Sequence, residues 1–248
     1  MTQPDTPWPL VNTMINLRPG TVTTIASLPT VGRSTLTLNM ALHNAMKGIC
    51  TLYTSGELSV DMTTEKVVSA MYGIDLRHNE VPLGGWDLFK ERVTAEMTSM
   101  PLLLQNQIDI EPREAFTYGS IAGQRRGHTV ELWFLDALAH FSKFTEHGPD
   151  YAHAMGQIRR IAREASIPVV VTARAVNDVE DEPLALKHLP EAVAELSDHV
   201  LTLHREGVYW RNGPDSTEAT VTQLKPRGRQ SAALTLHPRL CRFFARAT

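Results

Sequence analysis

Residues Val22 to Leu38, VTTIASLPTVGRSTLTL, change periodicity partway through, and that change limits what the chain can fold into. Val22, Ile25 and the threonines between them favour an extended strand. Pro29 and Gly32 break the run, and from Ser34 apolar residues recur at helical spacing as Leu38, Ala41, Leu42 and Ala45. Strand, glycine-bearing turn and helix, in that order, are the setting of a phosphate-binding loop, where backbone amides converge on an anion at a helix N-terminus. The octet Ser27-Leu28-Pro29-Thr30-Val31-Gly32-Arg33-Ser34 matches G-x-x-x-x-G-K-S/T in spacing, in its second glycine and in its hydroxyl. It departs at Ser27, which replaces the first glycine, and at Arg33, which replaces lysine. A guanidinium is a wide planar fork where lysine is a compact point charge, so that exchange is not conservative. A nucleotide held here would touch Ser27, Pro29, Thr30, Val31, Gly32, Arg33, Ser34 and Thr35, with the Ser34 hydroxyl toward Mg²⁺. The octet alone reads equally well as an ordinary strand-to-helix turn.

The rest of the chain agrees with an α/β setting. At 248 residues and 42% hydrophobic content it can bury a sizeable core as one domain. No apolar run reaches membrane length, and the opening MTQPDTPWPL has neither a basic nor an apolar leader region, which predicts a cytoplasmic protein. Cys50 and Cys241 read as free thiols. The net charge is −3, yet from Arg205 to Thr248 eight Lys/Arg stand against three Asp/Glu, a local +5. Such a segment suits an anionic partner, or equally a solvated surface.

Residues 1–17 are Pro-rich and weakly patterned, and are expected to form an arm or linker before a single domain over 18–248. After the loop helix, Ile49 to Ser55 predicts a buried strand, and a helix is expected from Ser59 to about Met71. Trp86 to Met97 and Pro112 to Arg126 read as helices, with a short strand at Leu102–Leu104 between them. Val130 to Leu135 is a strand closing on Asp136, Ala152 to Ala165 a helix, and Pro168 to Thr172 another apolar strand. Repeated β-α units predict a mostly parallel sheet covered on both faces. Val200–Leu203, Gly207–Trp210, Ala219–Thr222 and Ala233–Leu236 are short and turn-separated, as in antiparallel strands added to that core.

Three further stretches bear on the first. Glu57 follows the second strand at the carboxyl edge of the sheet, where it could deprotonate an attacking water. It could equally be a helix-start acid. Asp136 ends an apolar strand, as a carboxylate beside Mg²⁺ does, and as an N-cap aspartate does too. Lys225-Pro226-Arg227-Gly228-Arg229 is a basic hairpin tip, either an arginine finger acting on a neighbour or a plain charged turn.

Taken together over roughly Leu17 to Phe243, these stretches resemble the RecA-like motor domain of DnaB-type replicative helicases. The resemblance rests on Leu17-Arg18-Pro19-Gly20, the octet, Ser55-Gly56-Glu57-Leu58-Ser59, the strand ending at Asp136, Ile161-Ala162-Arg163-Glu164 with Pro168 to Val171, Val179-Glu180-Asp181, Ser197-Asp198 and Lys225-Pro226-Arg227-Gly228. It implies a RecA-like P-loop fold binding ATP or another NTP with Mg²⁺. Gly32, Arg33 and Ser34 would form the phosphate loop, Ser34 and Asp136 would hold Mg²⁺, and Glu57 would be the general base. Lys225 and Arg227 would reach the neighbouring subunit's nucleotide. The family works as a hexameric ring on single-stranded DNA, touched here by loops around Leu138 to Asp150 and Ala175 to Pro183.

Departures from the family pattern are Arg33, Arg174 in place of a γ-phosphate-sensing glutamine, the segment Leu186 to Pro190, and an acidic second loop at Asn177 to Glu182. The family's N-terminal domain and linker helix are not found here. Two readings follow: a DnaB-like ATPase coupled to single-stranded DNA, or a hydrolysis-deficient scaffold of the same fold that binds nucleotide or partners. His140, His147 and His153 are too loosely spaced for a metal site, Ser55-Gly56 lacks the frame of a nucleophile elbow, and aromatic residues are few.

Overall fold

A computed structural model describes residues 2–76, 85–146, 148–175, 183–206, 217–226 and 230–246. In chain order the elements are α1 (Pro9–Asn12), β1 (Val22–Ser27), α2 (Arg33–Met46), β2 (Thr51–Ser55), α3 (Val60–Tyr72), α4 (Trp86–Ser99), β3 (Leu102–Asn106), α5 (Pro112–Arg125) and β4 (Leu132–Asp136). They continue with the two-residue strands β5 (Phe144–Thr145) and β6 (Gly148–Pro149), then α6 (Tyr151–Glu164), β7 (Val169–Arg174), α7 (Glu191–Leu196), β8 (His199–His204), β9 (Glu218–Lys225), β10 (Ser231–His237) and β11 (Arg242–Ala245).

One nine-stranded sheet runs β11-β10-β9-β8-β1-β7-β4-β2-β3. The six strands from β8 to β3 are parallel, and β9, β10 and β11 extend them antiparallel. Burial follows this division. Every residue of β1, β2 and β4 is buried, as strands covered on both faces must be. In β9 and β10 buried and exposed positions alternate, because one face meets solvent. The predicted mixed architecture is the one observed, with two differences: Val200–Leu203, expected among the antiparallel strands, lies in β8, which is buried on both faces and runs parallel to β1, and β11 is a further antiparallel strand. The predicted strand at Gly207–Trp210 lies outside the described residues.

Two apolar layers cover the sheet. Leu36, Leu38 and Met40 of α2 pack with Ile25, Tyr53, Phe134 and Val170 on one face. Met155, Ile158 and Ile161 of α6 pack with Trp133, Leu135, Val169 and Val171 on the other. On that second face α5 lies so close to β2 that a Cβ at Gly119 would fall 2.4 Å from Leu52 Cδ2.

The segment before Leu17 is folded onto the domain. Trp8, Val11, Met14 and Ile15 are buried, and Trp8 Nε1 donates to Phe243 O of β11 at 3.3 Å. Asp5 pairs with Lys47 at 2.6 Å and with His43 at 2.8 Å on α2. Burial alone would push the Asp5 carboxyl up, but its hydrogen bonds with Lys47 and His43 outweigh that and hold its pKa below the usual carboxylate value.

Candidate nucleotide site

The loop from Ser27 to Arg33 leaves the carboxyl end of β1 and enters α2. Gly32 is the N-cap, with φ 108°, a conformation that favours glycine. Its α-carbon also abuts the core, since a Cβ there would lie 3.2 Å from Phe243 Cζ. The first backbone bond of the helix runs from Leu36 N–H to Gly32 O at 2.9 Å. The amides at the head of α2 are therefore left for an outside acceptor, and the helix dipole favours an anion there. Ser27 is fully buried, is not at positive φ, and donates its hydroxyl to Leu28 O, so the missing glycine leaves no conformational demand unmet. Thr30 takes the left-handed conformation instead, at φ 61°.

Arg33 does not project into the mouth of the loop as a free cation. Its Nη1 donates to Ala173 O of β7 at 2.8 Å and to Ser27 O at 3.4 Å, while its Nε is sealed from solvent with no partner. The guanidinium thus fastens the loop to the ends of β1 and β7. From the other side the buried Arg205 donates Nη1 to Val31 O at 3.3 Å.

Beneath the loop lies Asp136, fully buried at the end of β4. Its two oxygens accept from Tyr53 Oη at 2.8 Å and Thr172 Oγ1 at 2.6 Å. The carboxylate caps no helix, so the N-cap alternative does not apply. Burial, and then the charge of Asp136, push the Tyr53 phenol well above its ordinary pKa, which keeps the proton on the tyrosine as donor. Tyr53 Oη also lies 3.4 Å from Thr37 Oγ1 of α2, so a chain of hydroxyls links strand and helix. Tyr53, Thr172 and Arg205 were not singled out from the sequence. The available signal was a hydroxyl or cation inside or just after an apolar strand run.

Glu57 stands beyond β2 on the same edge. Ser59, whose Oγ accepts from Met62 N at 3.2 Å, caps α3, so Glu57 lies outside that helix and is not its capping acid. Its carboxylate is half exposed, 3.5 Å from His140 Nε2. A Cβ at Gly56 would lie 2.4 Å from the His140 Cβ, so glycine is what lets the turn bearing Glu57 pass this residue. Arg174 is exposed at the end of β7, in register with Ser27 of β1.

Lys225 is placed elsewhere: Nζ donates to Ala194 O at 3.1 Å and Glu195 O at 3.0 Å, carbonyls of the last turn of α7 in its own chain. Arg227 lies outside the described residues, as do residues 176–182 of the second expected DNA loop. The first, after Asp136, forms a 3-10 turn at Leu138–Phe141 and the β5–β6 hairpin, with Phe144 exposed at 74%. Lys143 beside it is paired with Glu111, whose carboxyl is drawn down to about 2 by Lys143 and Gln157.

The donors fit Mg²⁺ with a polyphosphate. Magnesium is held by one or two protein oxygens plus phosphate and water, not by an all-protein cage. Among the described residues no group of three or more His, Cys, Asp or Glu could hold a metal alone, whereas the Ser34 hydroxyl and Asp136 are hard oxygen donors.

A parallel sheet with a glycine-bearing loop from its central strand into a helix, and a buried carboxylate two strands away, defines a RecA-like ATPase fold. Among solved structures with this fold, a DnaB-like replicative helicase, described with its primase interactions, gives a TM-score of 0.82 at 13% identity over 98% of this chain and 61% of that one. A second, described as an ATPase domain, gives 0.77 at 13% identity, covering 93% of this chain and 86% of that one. The RadB recombinase gives 0.59 at 16% identity, covering 96% and 97%. The family described as DnaB-like helicase C terminal domain matches residues 9–243, and the chain belongs to that family. The replicative DNA helicase DnaB of Leifsonia xyli subsp. xyli (strain CTCB07) is 24% identical over 221 residues, 85% of this chain and 48% of that protein. The chain thus spans about half the length of this curated relative. No helix among the described residues is long and apolar enough to cross a membrane.

Proposed function

We propose that this chain is the nucleotide-binding motor domain of a DnaB-like helicase, which hydrolyses Mg-ATP in the cytoplasm and couples the reaction to single-stranded DNA as part of a ring. The observation that carries this reading is the meeting of three parts at one edge of the sheet: the open amides heading α2, Asp136 held beneath them, and Glu57 beyond β2. Phosphoryl transfer to water needs little more than such positioning and charge. The α2 amides would hold phosphate oxygens, and Ser34 and Asp136 would hold Mg²⁺, which supplies positive charge to the transferring group. Glu57 would accept the proton of the attacking water. Arg227, with Lys225 if it leaves α7, would act on a neighbour's nucleotide.

Steady-state ATP hydrolysis with and without single-stranded DNA tests this. DNA-stimulated hydrolysis by wild type and a loss of about 10²-fold or more in E57Q are expected, the usual worth of a positioned base. Hydrolysis by E57Q at the wild-type rate contradicts it. One observation favours the second reading, a scaffold that binds nucleotide without turnover: the cation at the lysine position is tied to Ala173 O. Nucleotide binding with no hydrolysis by wild type would select it.

A further inference from the structure

Besides the buried Arg205, which bonds Val31 O, the loop is flanked by the guanidinium groups of Arg33 and Arg174, and among the described residues neither of these two forms an ion pair with a carboxylate. They are oriented differently. Arg33 is turned inward: Nη1 is engaged by two carbonyls and Nε is closed off from solvent, so a ligand could reach only Nη2 without prising the loop from β7. Arg174 is exposed, and although its backbone pairs with β1, no described residue bonds its side chain. Its direction follows from strand alternation. Val169, Val171 and Ala173 pack in the layer that contains α6, and Val170 in the layer that contains α2. Thr172 therefore faces α2, as its bond to Asp136 requires, and Arg174, two residues on, leaves the sheet on that same face beside Ser27.

We infer that in this chain the cation that meets the terminal phosphate has moved from the head of α2 to the end of β7, so that Arg174 binds the phosphate and Arg33 is a structural tie. The inference rests on the nucleotide site proposed above. Arg174 offers a guanidinium fork suited to a phosphate's paired oxygens, where a glutamine would offer only a neutral amide.

Equilibrium binding of Mg-ATP and Mg-ADP to wild type, R174Q and R33K, with melting temperatures alongside, tests it. Wild type is expected to prefer ATP by about tenfold or more, the worth of one charge-assisted contact to the terminal phosphate. R174Q, which breaks no bond of the described fold, should melt with wild type and bind the two nucleotides almost equally. R33K should melt lower, having lost the tie to Ala173, yet keep its preference within about threefold. Should R33K not fold, R33M with the R174Q result still decides the matter. Preference retained in R174Q, or abolished in a folded Arg33 variant, overturns the inference while leaving the nucleotide site standing. Wild type that binds neither nucleotide overturns the site reading itself, and the inference with it.

Discussion

Asp136 shows how much of this site is decided by single atoms. A carboxylate removed from water is costly unless its oxygens are engaged, and here Tyr53 and Thr172 engage both. Y53F removes one charge-assisted bond without opening a cavity, so a loss of about 2 kcal/mol in denaturant unfolding is expected. No measurable loss would mean that the tyrosine does not hold the aspartate. At Arg33 the sequence was legible only in part. The mismatch to lysine was plain, but its direction was not, because a long side chain beside a loop can turn toward solvent or toward carbonyls that neighbouring strands bring near. The carbonyl of Ala173 belongs to a strand far along the chain, and no local pattern records that proximity. The same holds for Tyr53, whose hydroxyl is one of several in a buried strand, with nothing local to mark it as the partner of Asp136.

Whole elements were more readable than their contacts. Strands buried along their whole length before helical periodicities give parallel pairing, and the short alternating strands β9 and β10 near the C-terminus give the antiparallel extension; both follow from which faces are covered. The N-terminal segment was expected to be an arm because it lacks a period. Its order comes instead from isolated anchors: Trp8 against Phe243, with ring centroids 6.3 Å apart, and Asp5 against Lys47 and His43. Anchors of that kind carry no repeat to detect. They do carry a pH dependence. The pKa of Asp5 is lower in the folded chain than in the unfolded one, so its contribution is present above the unfolded value of about 3.9 and is lost as pH falls through the folded value. The carboxylate is partly exposed, so the contribution is under about 1 kcal/mol. Unfolding midpoints should therefore place D5N below wild type at pH 7, with the gap narrowing as the pH falls below that unfolded value. A gap that does not narrow on acidification would assign the effect to something other than this charge.

At the scale of the molecule, parallel strands deliver their carboxyl ends to one edge, and so the loop after β1, Asp136 of β4, Glu57 after β2 and Arg174 of β7 share a single rim although the sequence scatters them. Lys225, by contrast, leaves the sheet at the end of an antiparallel strand and caps α7, away from that rim. The loop between β1 and α2 is therefore the point on which the account turns. Hydrogen exchange on adding Mg-ATP addresses that loop directly. The account predicts slowed exchange at the amides of Gly32 to Thr35, which lack partners inside the helix. Nucleotide binding with unchanged exchange at those amides, and protection elsewhere, would contradict it.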